Sequence, residues 1–380
     1  MREIILISFL GPDQPNQFTR LMQVLSAHSL QILDVGQAVI HNQLTLGIVV
    51  ASDDQTATAL AMKEILILAH DIGLTVRFKP ISATEYDQWV KEGGRTRYIV
   101  TALAPELNAS HLQAVTQIVS AQGFNIETVT RLSGRPALNG SSTGPKRACI
   151  EFGLKGQMLD AAAMRAACLR LSSELNVDVA VQEDNAYRRN RRLVCFDMDS
   201  TLIEQEVIDE LAIEAGVGAQ VAEITERAMQ GELDFQASFR ARVALLKGMD
   251  ASVLPKIAER LTITEGAERL ISTLKALGYR TAILSGGFQY FAEYLQGKLD
   301  IDEVHANALD VQDGVVTGEV KGHIVDGARK ALLLGEIAKE MGISLEQTIA
   351  VGDGANDLPM LSIAGLGVAF RAKPLVRQNA

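Results

Sequence analysis

Four short apolar runs in the second half of the chain constrain its fold most. They are RLVCF (Arg192 to Phe196), RTAIL (Arg280 to Leu284), EVHAN (Glu303 to Asn307) and TIAVG (Thr348 to Gly352). Each is long enough to cross a sheet once, and segments of helical periodicity such as AERLISTLKAL and ARKALLLGEIAKEM stand between them. Apolar strands that alternate with helices predict a doubly wound α/β fold, a parallel sheet covered on both faces. LDVQDGVVTGEV interrupts the pattern as a hairpin, with Asp313 and Gly314 at its turn. Between the first strand and RTAIL lies a block, about 203–262, with helical periodicity and no strand pattern. An insert placed there is expected to cap the C-terminal edge of the sheet, where open α/β sheets bind ligands.

The first half follows another grammar, and follows it twice. REIILISFL, FTRLMQVLSAH, QILDVGQAVI, LTLGIVVAS, the stretch from Thr56 to His70 and TVRFKPI read as strand, helix, strand, strand, helix, strand. TRYIVTALA, SHLQAVTQIVSAQG, FNIETVTRL, RACIEFGLKG, MLDAAAMRAACLRLSSEL and VDVAVQED repeat that order, so two ferredoxin-like βαββαβ units are expected. The boundaries drawn from these patterns are 1–84, 95–184 and 190–380. EYDQWVKEGGR (Glu85 to Arg95) reads as a polar linker. NAYRRNRR (Asn185 to Arg192) reads as a solvated connector, with a phosphate-steering patch as the alternative. The polar segment from Ser133 to Lys146 reads as an insert.

Composition narrows the function classes. The 380 residues carry a net charge of −10, which argues against nucleic acid or an anionic membrane as a partner. Local charge can still favour an anionic substrate. Cys149, Cys168 and Cys195 are scattered, without CxxC spacing, as expected of a cytoplasmic protein. MREIILISFLGPD is too short an apolar run for a signal peptide or a membrane span.

The chemistry concentrates at strand ends. VCFDMDSTL places Asp197 and Asp199 just beyond the first strand, and residues two apart on extended chain point the same way. Paired carboxylates repel unless a cation or a shared proton relieves them. A plain reading is a solvated Asx turn with Asp199 capping a helix. VGDGANDLPML puts Asp353 and Asp357 after another strand of the same sheet. Hard oxygen donors that converge in this way suit Mg²⁺. AILSGGF offers Ser285, Gly286 and Gly287 at a strand-to-helix passage, a place where backbone N–H groups bind phosphate. Lys330 opens a helix, where the macrodipole disfavours a cation; a bound anion would explain it, and an exposed surface lysine is the plain reading.

DMDST, SGG, a lysine and GDGAND stand in the order of the haloacid dehalogenase superfamily of phosphotransferases, which the chain resembles from about Arg192 to Lys373. FDMDSTLIEQEVIDELA, EITERAMQGELDFQASFRARVALLKG, ILSGGF and AVGDGANDLPML bring the resemblance to the branch that hydrolyses O-phosphoserine. The duplicated units resemble ACT domains, amino-acid-sensing modules. GPDQPN fits their glycine-bearing loop, whereas the second unit has APELNA there.

The resemblance implies a role for each of these side chains. Asp197 is the nucleophile, and Asp199 the general acid and then base. Mg²⁺ is held by Asp197, the Asp199 carbonyl and Asp353. Ser285, Gly286 and Lys330 grip the phosphoryl oxygens, with Asn356 near the substrate and Asp357 in support. In the cap, Glu206 takes the ammonium and Arg242 the carboxylate of the substrate, while Met229 and Phe235 exclude water. Glu206 as a first-turn charge, Arg242 as a surface residue and Phe235 as cap core are the plain readings. The resemblance also implies serine or another amino acid at the ACT-like units, and a homodimer. Transfer of the phosphoryl group to another alcohol and a sensor with an inactive phosphatase domain are the competing functions. The chain ends at RAKPLVRQNA, where relatives continue with a strand and a helix, so an open sheet edge is expected.

Overall fold

The computed structural model describes residues 2–94, 96–135, 147–229 and 232–372, and the Met229 side chain lies outside the described part. Most of the polar insert that ends at Lys146 also lies outside it. Contacts divide the chain into two compact units, Met1–Arg95 and Thr96–Ala380.

The first unit runs β1 (Glu3–Pro12), α1 (Gln17–Ala27), β2 (Gln31–Ile40), β3 (Gln43–Ser52), α2 (Gln55–Asp71) and β4 (Thr75–Ile81). Its antiparallel sheet has the order β2-β3-β1-β4. His41 and Asn42 both take positive φ, the two-residue turn that matches strand twist. Ile7, Phe9, Leu46 and Ile48 alternate inward against Leu21, Leu25, Ala61 and Ile65 of the helices. The expected linker from Glu85 onward is instead largely α3 (Ala83–Glu92). A capping box starts this helix: Ser82 accepts from the Glu85 N–H, and the Glu85 carboxylate accepts from the Ser82 N–H at 2.8 Å. Tyr86 and Trp89 pack together along it, ring centroids 5.8 Å apart.

The second unit opens with β5 (Arg97–Ala104), α4 (Ala109–Ala121), β6 (Asn125–Arg131), β7 (Ala148–Lys155), α5 (Ala161–Leu175) and β8 (Asp178–Glu183). The sheet order β6-β7-β5-β8 repeats that of the first unit. Even the irregularity repeats: β2 slips register against β3 between Ile32 and Asp34, and β6 slips against β7 between Ile126 and Thr128.

After β8 the connector is not simply solvated. Arg191 is only 8% exposed and donates to the Gln182 side chain, the Arg188 carbonyl and the Gly365 carbonyl. Arg188 pairs with Glu151 and Asp184. These arginines fasten β8 to the segment around Gly365, because a buried guanidinium needs several acceptors in fixed positions.

Then come β9 (Leu193–Phe196), α6 (Val207–Glu214), α7 (Gly218–Met229), α8 (Phe235–Ala244), α9 (Val253–Arg260), α10 (Ala267–Ala276), β10 (Arg280–Phe288), α11 (Gln289–Leu299), β11 (Glu303–Gln312), β12 (Val315–Lys321), α12 (Gly327–Glu340), β13 (Thr348–Gly352), α13 (Leu358–Ile363) and β14 (Leu366–Ala369). The sheet order is β12-β11-β10-β9-β13-β14, with β12 alone antiparallel. EVHAN and the first arm of the hairpin form one strand, β11, which pairs parallel with β10 and antiparallel with β12. Asp313 and Gly314 make its positive-φ turn. One face of the sheet packs on α10, α11 and the α6–α9 block, the other on α12 and α13. An antiparallel bridge between Ile203 and Ile263 closes the stem of the α6–α9 block.

β9 lies centrally, between β10 and β13. Chain direction away from β9 splits there, so the loops after β9, β10 and β13 open a crevice at one sheet edge.

Candidate active site

Asp197 is the first residue past β9, and its backbone N–H donates to the Val351 carbonyl at 2.8 Å. The chain then turns sharply. The Met198 carbonyl accepts from the N–H groups of Thr201, Leu202 and Ile203, and Ser200 takes positive φ to allow it. This turn sets the Asp197 and Asp199 side chains into the crevice.

Lys330 is fully buried, contrary to its plain reading as a surface lysine. Its Nζ lies 2.8 Å from Asp197 Oδ1 and 2.7 Å from Asp357 Oδ1. The Asp197 Oδ1 also accepts from the Met198 N–H at 2.8 Å, and Asp357 Oδ2 accepts from the Gly354 N–H at 2.9 Å. Asp326 caps α12 by accepting from the Arg329 N–H, which offsets in part the strain of a cation in the first turns.

Carboxylate oxygens of Asp197, Asp353 and Asp357 all lie within 4.8 Å of one another. Three carboxylates and one ammonium leave two negative charges in a buried place. Burial first, and then the Asp357 charge, push the Asp197 carboxyl up to about 8, against the pull of Lys330. Burial disfavours the Lys330 charge, but Asp197 and Asp357 outweigh it and the net direction is upward, so the ammonium persists. The cluster thus holds on to a proton unless a cation replaces it. A divalent ion with a preference for hard oxygen fits both the residual charge and the donor set.

The Asp199 carboxylate stands apart from that triplet. Its Oδ1 is sealed from solvent without a hydrogen-bond partner, and Oδ2 lies 2.8 Å from where a Cβ on Gly287 would be. Burial, Glu206 and Asp197 hold its carboxyl well above the ordinary carboxylate range. A carboxyl kept protonated in this way is suited to donate a proton.

Ser285 is buried within the C-terminal half of β10, and its Oγ accepts from the Gly287 N–H at 2.9 Å. That bond uses one acceptor site of the hydroxyl and leaves its proton available to donate elsewhere. Gly286 has no room for a side chain: a Cβ there would meet the Phe235 ring at 2.9 Å. Phe235 stacks on Phe239, which tilts against Phe288 of β10, so an aromatic column joins α8 to the strand. Gln236 donates to Asp326 at 2.6 Å, a second tie from α8 to the start of α12.

Glu206 is exposed at the start of α6, with Oε1 accepting from Ser200 Oγ at 3.0 Å. Arg242 is half-buried on α8 rather than on the surface, and its Nε donates to the Ser238 carbonyl. Burial lowers its affinity for the proton, opposed by the charges of Glu206, Asp209 and Asp199. Glu206 and Arg242 thus share the neighbourhood of Asp199. The Asn356 carbonyl lies 2.6 Å from where a Cβ on Gly327 would be, so the loop after β13 packs on the first residue of α12.

Sequence reasoning missed Asp209, Gln236 and Asn307. Asp209 carried only a first-turn acidic signal. Gln236 had no signal. Asn307 was visible as one polar residue in an apolar strand.

The comparisons with known proteins agree with this geometry. Residues 194–362 match the haloacid dehalogenase-like hydrolase family, and residues 3–79 match the ACT domain. A phosphoserine phosphatase of Mycobacterium tuberculosis is 39% identical over 99% of this chain and 88% of its own length. One of Streptomyces coelicolor is 40% identical with the same coverage of both chains. Among solved structures, a haloacid dehalogenase family hydrolase of Salmonella enterica serovar Typhi superposes with a TM-score of 0.63 at 31% identity, over 74% of this chain and 92% of that one. A probable phosphoserine phosphatase of Vibrio cholerae gives 0.56 at 33% identity, over 76% and 82%. With relatives this similar along nearly the whole chain, the protein belongs to the phosphoserine phosphatase family of haloacid dehalogenase-like hydrolases.

Proposed function

We propose that the chain hydrolyses O-phosphoserine to serine and orthophosphate through a phosphoaspartate on Asp197. The observation that carries this is the buried Lys330 bridging Asp197 and Asp357 beside the Ser285-Gly286-Gly287 passage. An Asp197 oxygen attacks phosphorus, the bond to the serine oxygen breaks, and Asp199 gives that oxygen its proton. Asp199 then takes a proton from water, whose oxygen displaces Asp197 from phosphorus and frees orthophosphate. Covalent catalysis splits the reaction, and Asp199 as acid and base contributes ~10²–10⁴-fold.

Asp197 and Asp353, with the Asp199 carbonyl, would hold Mg²⁺, and Asp357 steadies Lys330. When bound, the ion offsets carboxylate charge and polarises the phosphoryl group. Ser285, the Gly286 N–H and Lys330 bind the phosphoryl oxygens, with Asn356 beside them. Glu206 takes the substrate ammonium and Arg242 its carboxylate, supported by the proximity of both to Asp199. Phe235 keeps water out. Phosphate release from a panel of phosphorylated amino acids and sugars tests the reading. Phosphoserine is the preferred substrate, and activity falls to background on chelation and returns with Mg²⁺. Equal rates across the panel, or turnover indifferent to chelation, would contradict it.

The three modules of this reading are 1–84, 95–184 and 190–380. The ACT modules bind an amino acid, serine, as a feedback signal, and Gly11 supports a close-packed loop, since a Cβ there would meet the Gly73 carbonyl at 2.7 Å. Serine inhibits the full chain and fails to inhibit a chain that begins after Glu183; equal inhibition of both rejects the idea. The same reading has the protein act as a homodimer in the cytoplasm. Edge strand β2 supports pairing, with Ile32, Val35, Val39 and Ile40 exposed, the last 75%. Three unpaired cysteines fit a reducing compartment, and no helix among the described residues is long and apolar enough to cross a membrane.

A further inference from the structure

Asn307 is 2% exposed on β11 and lies outside every role assigned above. The ladder between β10 and β11 pairs Leu284 with His305 and then Phe288 with Asn307. Three residues, Ser285 to Gly287, therefore stand against one, Ala306. The phosphate-binding passage bulges out of the sheet and loses its ladder partners. A buried carbonyl left without a donor costs ~1–3 kcal/mol.

The Asn307 side chain replaces the missing rung. Its Nδ2 donates to the Gly286 carbonyl at 2.8 Å, and its Oδ1 accepts from the Val325 N–H at 2.8 Å. The Gly286 carbonyl and the Gly287 N–H belong to one peptide group. That N–H donates to Ser285 Oγ at 2.9 Å. Fixing the carbonyl end thus fixes the N–H end, and the N–H occupies one acceptor site of the Ser285 hydroxyl, which limits the directions left to its proton. On its other side Asn307 holds Val325, the neighbour of Asp326, which caps the helix of Lys330. One carboxamide joins the two segments that supply Ser285, Gly286 and Lys330.

We propose that Asn307 is a positioning residue that sets the phosphate-binding peptide in register with Lys330. The inference rests on the phosphate-binding reading of Ser285 and Lys330. At neutral pH a carboxamide supplies both a donor toward Gly286 and an acceptor toward Val325 at this length. An ionised carboxylate presents an acceptor to a carbonyl, whereas a protonated one restores the donor.

Phosphoserine hydrolysis and inhibition by orthophosphate, measured with Mg²⁺ from pH 5.5 to 8, test this on Asn307→Leu, Asn307→Asp and Ser285→Ala. Ser285→Ala weakens orthophosphate inhibition; if it does not, the phosphate-binding reading itself fails. Asn307→Leu lowers kcat/KM on the order of 10²-fold, comparable to the loss of one preorganised donor. It also weakens orthophosphate inhibition at least tenfold by this argument. Asn307→Asp behaves like Asn307→Leu at pH 8. Its activity relative to wild type recovers about tenfold at pH 5.5, as burial raises the new carboxyl's pKa into this window. A merely structural residue would shift Tm without that pH-dependent ratio. Orthophosphate inhibition unchanged in Asn307→Leu, or an Asn307→Asp ratio flat with pH, overturns the proposal. Should Asn307→Leu fail to fold, the Asn307→Asp ratio decides alone.

Discussion

Asp197→Asn lowers kcat on the order of 10⁴-fold or more, the scale seen when a covalent nucleophile is removed. The substitution preserves shape, and its amide oxygen can still accept from the Met198 N–H and from Lys330, bonds that fall on Oδ1 in the native protein. Folding is therefore retained, and only the attack on phosphorus is lost. The check has two parts: steady-state hydrolysis of phosphoserine, and acid-quench trapping of labelled phosphoenzyme. Both signals vanish together. Substantial hydrolysis without trapped phosphoenzyme would mean that water attacks phosphorus directly, and the covalent mechanism would fall.

Lys330→Met produces the largest expected effect on stability. It removes the ammonium from between Asp197 and Asp357 and leaves two buried carboxylates without it. Breaking a buried ion pair in this way costs ~3–5 kcal/mol. At ~2–4 °C per kcal/mol for a unit of this size, Tm of the metal-free protein falls by about 10 °C. The sign with pH is set by linkage. The Asp197 carboxyl already sits above its ordinary range, and loss of the lysine raises it further. A carboxyl whose folded pKa is raised destabilises increasingly as pH climbs above its unfolded value near 4. Wild type shares that penalty up to about pH 8, where its own Asp197 carboxyl ionises, so the pH-dependent part of the Tm gap opens as pH rises through about 8 and is smallest below it. Mg²⁺ narrows it too, since an ion that binds only the folded state stabilises by mass action. Catalysis falls on the order of 10²–10³-fold even with the metal present. Calorimetry across pH, with and without Mg²⁺, reads all of this. A gap that ignores both would show that Lys330 is not the counter-ion of the cluster.

Much of the architecture was legible in the residues. TVRFKPI is β4 residue for residue, and Asp313-Gly314 makes the expected turn. Apolar periodicity carries that information because each strand and helix must present one face to a core. What was missed depended on single polar contacts. A linker composition around Glu85 hid a helix, since Ser82 and Glu85 reciprocate across three residues. The arginines of the connector looked solvated because nothing local shows that Gly365, 174 residues later, supplies an acceptor. Lys330 looked like a surface lysine for the same reason, its two partners being distant in sequence. The aspartates were conspicuous as charges at strand ends. Asn307 was not, because a lone amide in a strand has no period.

The Ile203–Ile263 bridge has a consequence for how such a protein can diversify. Both ends of the α6–α9 block leave and rejoin the sheet at adjacent points. The sheet therefore perceives the block as a closed loop, whatever its contents. Lineages can lengthen, shorten or exchange that loop while the strand-end aspartates keep their places. On the proposed reading, the chemistry then stands on the sheet edge and substrate choice on a separately attached roof.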